Sequence, residues 1–426
     1  MVSLVAMRFE VALTWVSMSV LGCAAGDRPS DATPVAEVTA APSDSGPDRD
    51  EGETNGLVVD AIEPVDAAEP LAADAACAAT AATAKTEILP VDIIWVVDNS
   101  SSMAPAVAEI RAGLNAFASV VAGKGLDYKV IVLSLRNKTS PVAFGGSTRY
   151  PICIPAPLAG DDDCGNGPRF FHANLDVRST QVLEQILGTL DQTDCYRRGQ
   201  ERGSEPWKAE LRPEATKTFV VVTDDNSRLS ATEFETFAGG KNPFNACTLP
   251  VGLRDPSRGG MFDGYVFGGL YGWGADADPS ATCRYPDGTM PANAGVAYTT
   301  LVKKTGGPRA KICDGSAAWG PFFDAVATAV AKSAKLACEL TIPLPESGTL
   351  DPAAVNVAVL GGGSTLIPKV AGAADCGTTL GWYYDDDTTP TKVVLCPAAC
   401  DEANSAVGID KPGKIDIQFG CKTVIR

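Results

Sequence analysis

The chain has 426 residues, 45% of them hydrophobic, enough for a sizeable core and for more than one average domain. A formal net charge of -17 at pH 7 argues against a nucleic-acid partner, whose phosphates need Lys and Arg to neutralise them, and favours a solvated protein that attracts cations. A Ser-His-Asp triad, a Cys-His pair or a His-rich zinc site would each depend on the single histidine, His172, which stands in no catalytic motif ("RFFHANLD") and is read as structural or surface.

The first residues, "MVSLVAMRFEVALTWVSMSVLGCAAGD", have the pattern of a secretion signal, with Arg8 as the positive flank and Val11–Leu21 as an apolar run short for a bilayer. "VLGC" resembles a bacterial lipobox. That resemblance implies a lipoprotein signal over residues 1–22 and lipidation of Cys23, and Ala24 after the cysteine implies outer-membrane sorting. The alternative is an ordinary signal cut near small residues. Thirteen cysteines become an even twelve once Cys23 is set aside, as expected of disulfides outside the cytosol. Cys153/Cys164 and Cys376/Cys396 are close enough in sequence to pair, and "CPAAC" (Cys396, Cys400) lacks the partners of a zinc site. Residues 23–85 read as an acidic, Ala- and Pro-rich tether: residues 24–84 carry 13 acidic and two basic side chains, with apolar residues scattered without period.

From Ile88 the pattern changes. "ILPVDIIWVV" is a near-continuous apolar run, as in a strand covered on both faces, and "APAVAEIRAGLNAFASVVAGKG" follows at helical spacing. "DYKVIVLSL" predicts a second strand, and "RSTQVLEQILGTL" a helix with Ser179 as candidate N-cap. "KTFVVVTDD" predicts a third strand, and "SATEFETF" a helix opened by a capping box, Ser230 to Glu233. "YVFGGLYGW" reads as a core strand, "GVAYTTLVKKTGG" as a helix, "AKICDG" as a strand and "PFFDAVATAVAKSAKL" as a final amphipathic helix. Strands alternating with helices predict an α/β fold over residues 86–337, a doubly wound and mostly parallel sheet. Two Gly/Pro/Asp-rich insertions with cysteines interrupt it, at about 140–176 and 239–295. "GDDDCGNG" in the first reads as a solvated loop, its spacing not being that of an EF-hand. Residues 338–426, where helical periodicity disappears, read as a small disulfide-braced β domain or a β extension of the main sheet.

In such sheets ligands bind beyond the carboxyl ends of the strands, where Asp98 and Asp224 each end an apolar strand. "DNSSS" has the D-x-S-x-S form of the metal-ion-dependent adhesion site of von Willebrand factor A (VWA) domains, with Asp98, Ser100 and Ser102 at the matching positions. "VVVTDD" resembles that family's later strand, with Asp224 at its aspartate. "YTTLVKKTGGPRAKIC" resembles its late helix, Gly-Gly turn and last strand. The resemblance covers roughly residues 88–335. It implies a divalent cation, Mg²⁺ with Mn²⁺ or Ca²⁺ as alternatives, held by hydroxyls and carboxylates with one coordination position left for a partner's acidic side chain. Such hard oxygen donors suit Mg²⁺. The family's loop threonine has no clear counterpart; Ser204 is the first candidate and Thr193 the second. Asp225 replaces the family's usual Gly and is a candidate outer carboxylate.

Together these features point to an envelope lipoprotein, anchored through Cys23, that binds a protein or other acidic ligand through its cation and is not an enzyme. A structural envelope protein with a vestigial metal site is the alternative; a metal-dependent hydrolase is less favoured, since no general base stands apart from the committed acids.

Overall fold

The computed structural model describes residues 80–342, 350–409, 411–420 and 423–425. The expected signal, Cys23 and the tether up to residue 79 lie outside the described residues. Where the tether was expected to run to residue 85, a short strand forms instead, β1 (Thr80–Thr83), leading into β2 (Val91–Val97). The α/β part continues with α1 (Ala104–Gly123), β3 (Tyr128–Ser134), β4 (Phe170–Asn174), α2 (Val182–Asp191), β5 (Thr216–Val222), α3 (Ala231–Thr236), β6 (Val266–Tyr271), α4 (Val296–Thr305), β7 (Arg309–Lys311) and α5 (Ser316–Ser333).

Six strands form one parallel sheet in the order β7-β6-β5-β2-β3-β4. All seven residues of β2 are buried because both faces are covered. Ile93, Trp95 and Val97 point into a core shared with α1 and α5, and Ile94 and Val96 into one shared with α2, α3 and α4. Trp95 meets Phe117 of α1 and Phe323 of α5 edge-on, with ring centroids 5.3 and 5.7 Å away. α3 opens with the expected capping box between Ser230 and Glu233. α4 ends at Gly306, whose φ of +68° makes the left-handed cap, and a Cβ on Gly307 would lie 2.1 Å from the carbonyl oxygen of Phe267. This accounts for the Gly-Gly turn.

The sequence reading needs several corrections. β4 lies inside the first expected insertion; its polar and aromatic composition, "FFHAN", hides an edge strand. His172 there is fully buried, its Nε2 lies 3.0 Å from Ser134 Oγ, and burial pushes its pKa down to about 3. It is a neutral core residue. Ser179 makes no capping bond; it opens a 3₁₀ turn before α2. Only Ala310 and Lys311 of "AKICDG" are strand, in β7, and α5 begins at Ser316, ahead of Pro321, which lies inside the helix.

The C-terminal region builds its own core. β8 (Glu339–Thr341), β9 (Val355–Leu360), β10 (Ser364–Ile367), β11 (Trp382–Tyr384), β12 (Lys392–Leu395) and β13 (Lys414–Phe419) form two antiparallel sheets, β1-β13-β9-β10 and β8-β12-β11. Val357, Ile415, Ile417, Leu340 and Trp382 pack between them with Ala399 and Ala403 of a helix, α6 (Pro397–Ala406). That helix was not expected; its buried face consists of Ala and Cys, too weak a signal for hydrophobic periodicity. β1 lies antiparallel to β13, so this module takes an edge strand from the start of the described chain.

Among the described residues five disulfides join Cys153–Cys164, Cys195–Cys247, Cys283–Cys313, Cys338–Cys400 and Cys376–Cys396. Both pairs expected from spacing are present, and the cysteines of "CPAAC" are each bonded elsewhere. Cys195–Cys247 closes a 52-residue separation, worth about 4 kcal/mol in a chain-entropy account. Cys77 and Cys421 lie outside the described residues. Alkylation of the mature protein under denaturing, non-reducing conditions should find no free thiol among the twelve cysteines other than Cys23; two or more labelled cysteines would contradict their complete pairing.

Candidate metal centre

The chain leaves β2 outward to β3 and β4, then returns to β5 on the other side of β2 before continuing to β6 and β7. The loops after β2 and β5 therefore diverge from neighbouring strands, and the crevice between them is the switch point of the sheet. Val97 pairs with Val222, so the register puts Asp98 beside Thr223 and one residue short of Asp224. Adjacency of the two acidic strand ends, expected from the alternation of elements, is what the structure has.

Asp98 is fully buried and Asp224 is 5% exposed. The amide of Ser100 donates to Asp98 Oδ1 at 2.8 Å, and Thr223 Oγ1 donates to Oδ2 at 2.9 Å. Ser100 Oγ and Ser102 Oγ are 3.2 Å apart, and Ser102 lines the same cleft as Asp224. Burial pushes the Asp98 carboxyl up to about 6 against the bonds from Ser100 and Thr223, and burial raises Asp224 as well. Among the described residues neither carboxylate makes an ion pair. The phenol of Tyr298, fully buried near Asp98 and Asp225, has no hydrogen-bond partner.

Thr223 was missed in the sequence. It follows the apolar run of β5 immediately, but its bond to Asp98 depends on the β2–β5 register, which composition does not reveal. Asp225 Oδ1 accepts from the amide of Asn226 at 2.8 Å and from the side chain of Asn293, at the return from the second insertion. Asn226 in turn accepts from the amide of Ala297 at 3.0 Å and so caps α4.

Ser204 and Thr193, the two candidates for the family's loop threonine, each bond a backbone carbonyl. Ser204 Oγ donates to the carbonyl of Glu205 at 2.9 Å and lines a separate hollow with Asn174, Asp176 and Glu201, beyond β3 and β4. Thr193 follows the carboxyl end of α2 and donates to the carbonyl of Thr248 at 2.8 Å. Among the described residues neither side chain is hydrogen-bonded to the hydroxyls of Ser100 and Ser102.

A cleft of about 450 Å³ opens beside Ser102 and Asp224, walled by Glu109 and Trp319 from helices α1 and α5 and by Tyr285 and Asp287 of the second insertion. The Cys283–Cys313 bridge ties that insertion to the turn between β7 and α5. Among the described residues no three His, Cys, Asp or Glu side chains gather as a metal cage. The donors at the crevice are instead two carboxylates and the hydroxyls of Ser100, Ser102 and Thr223. This all-oxygen set, with two buried acids lacking a countercharge, fits a hard divalent cation and does not fit a soft one.

No family model matches the chain, and no curated protein matches it. Among solved structures, the chain is similar to the pilus adhesin RrgA from Streptococcus pneumoniae, at 10% identity and a TM-score of 0.22 over 81% of this chain. This chain spans 58% of that adhesin's length. At that TM-score the likeness carries no argument about fold or function.

Proposed function

We propose that residues 86–337 form a VWA-type domain that binds a protein or other acidic ligand through a divalent cation, Mg²⁺ first among the candidates. The observation that carries this reading is the pair of buried, unpaired carboxylates, Asp98 and Asp224, set at adjacent strand ends among hydroxyls. A core has no use for two such acids; a cation would repay their burial. Asp98, Ser100, Ser102 and Asp224 would hold it, with Thr223 orienting Asp98. The ion would supply an electrophilic position for an incoming carboxylate. The cleft beside Ser102 gives that ligand room to approach.

Excess Mg²⁺ or Mn²⁺ tests this directly. At a hundredfold excess over Kd, binding adds roughly 2.7 kcal/mol, so the melting temperature should rise by a few degrees over the value in EDTA. No shift would favour the second reading, a vestigial site in a structural envelope protein, for which the engagement of Ser204 and Thr193 elsewhere speaks.

We also propose that Cys23 anchors the protein to the envelope, on the strength of "VLGC" and the even remainder of cysteines. No helix among the described residues is long and apolar enough to cross a membrane. Replacing Cys23 with Ser should move the protein from the detergent phase to the soluble fraction; unchanged partitioning would reject lipidation.

A further inference from the structure

We infer that Asn99 is a positioning residue that couples the proposed cation site to the first insertion, so that the state of one is felt by the other. This rests on the cation-binding reading above. Asn99 lies between Asp98 and Ser100 and is fully buried. Its Oδ1 accepts from the amides of Leu135, at 2.8 Å, and Val177, at 3.2 Å; its Nδ2 donates to the carbonyl of Tyr150 at 2.9 Å. Its own amide donates to the carbonyl of Val177 at 3.1 Å, and its carbonyl accepts from the amide of Tyr150 at 3.0 Å.

One residue thus joins the segments that follow β2, β3 and β4 to the end of the insertion's hairpin (Val142–Phe144 with Ser147–Arg149). A second clip stands beside it. Arg149 Nε donates to Asp176 Oδ1 at 2.7 Å, and Arg178 Nε donates to Asp176 Oδ2 at 3.1 Å; the Asp176 side chain is 1% exposed. Arg149 and Tyr150 therefore fasten the hairpin to residues 99, 176 and 178. A shift of the hairpin must either break these bonds or move Asn99, and with it the backbone between two proposed cation ligands. A buried side chain with its donors and acceptors paired transmits such a shift because leaving any of them unpaired is costly.

Hydrogen exchange and Mn²⁺ titration of the full chain test this with three proteins: the unaltered one, Asn99→Ala and Arg149→Ala. In the unaltered protein Mn²⁺ should slow exchange at the amides of Leu135, Tyr150 and Val177. Asn99→Ala should weaken Mn²⁺ binding tenfold or more, and the amide of Tyr150 should lose its Mn²⁺-dependent protection. A merely structural role would raise exchange equally with and without metal. Arg149→Ala touches no proposed ligand and covers the case in which Asn99→Ala does not fold; it should weaken Mn²⁺ severalfold. Mn²⁺ affinity unchanged in the folded variants would overturn the coupling alone. Absence of Mn²⁺ binding by the unaltered protein would overturn the cation-binding reading and the coupling with it.

Discussion

Replacing Asp98 with Asn should raise the melting temperature of the metal-free protein and abolish its response to Mg²⁺ or Mn²⁺. Asp98 is fully buried without an ion pair among the described residues, and its pKa is pushed up to about 6. A folded-state pKa above the ordinary carboxylate value means that the folded protein holds this proton more tightly than the unfolded chain. Its contribution is fully stabilising below the unfolded value and is lost as pH rises through about 6. At neutral pH the charge therefore costs the metal-free fold up to roughly 3 kcal/mol, two pKa units' worth. Asn removes that cost. It keeps an oxygen for the amide of Ser100 and turns its NH₂ toward Thr223 Oγ1, which gives back part of the gain. Calorimetry in EDTA should show the variant several degrees more stable at pH 7.5, with the gap closing toward pH 4.5 as Asp98 takes up its proton. A variant less stable than the unaltered protein at neutral pH, or one that still answers to metal, would remove the case for a cation site.

Arg212→Ala should do the opposite, destabilising the fold by about 3 kcal/mol and leaving metal affinity unchanged. β2 carries a second buried aspartate, Asp92, at its amino end, about 20 Å from Asp98 along the strand. Unlike Asp98 it has a countercharge. Arg212 Nε donates to Asp92 Oδ1 at 2.9 Å, the Arg212 amide donates to Oδ2 at 2.8 Å, and the guanidinium also reaches the carbonyl of Val91 at 2.8 Å. Burial still raises Asp92, against the pull of Arg212. Removing the arginine side chain strands that carboxylate, the kind of break that costs 3–5 kcal/mol. The low end applies because 24% of the Arg212 side chain faces water and its pair with Asp127 is exposed. A denaturant midpoint shifted by less than the equivalent of 1 kcal/mol would show that Asp92 finds compensation elsewhere, with Lys217 the nearest source.

The two aspartates of β2 mark the boundary between what was legible and what was not. Patterning alone determined the alternation of buried strands and amphipathic helices, because a strand covered on both faces must be apolar throughout and a helix on a sheet must be apolar on one side. It also picked out both acidic strand ends, since an oxygen-rich cluster after such a strand has no packing purpose. It could not distinguish Asp98 from Asp92 by environment. Arg212 lies 120 positions from Asp92 and reaches it only when the segment before β5 folds under the sheet. The strand "FFHAN" and the helix α6 escaped for a related reason: an edge strand and a helix buried through Ala and Cys carry little periodic signal. The short strand β1 was read as tether because four small residues form an edge only when β13, more than 330 positions away, supplies the other half of the ladder. Which hydroxyls stand near the carboxylates was likewise a matter of register. Thr223 bonds Asp98 because Val97 pairs with Val222, whereas Ser204 and Thr193 are held by nearby carbonyls. Short-range pattern reports burial and chain direction; partners far apart in sequence meet only through strand order and register, and the tertiary structure alone decides those.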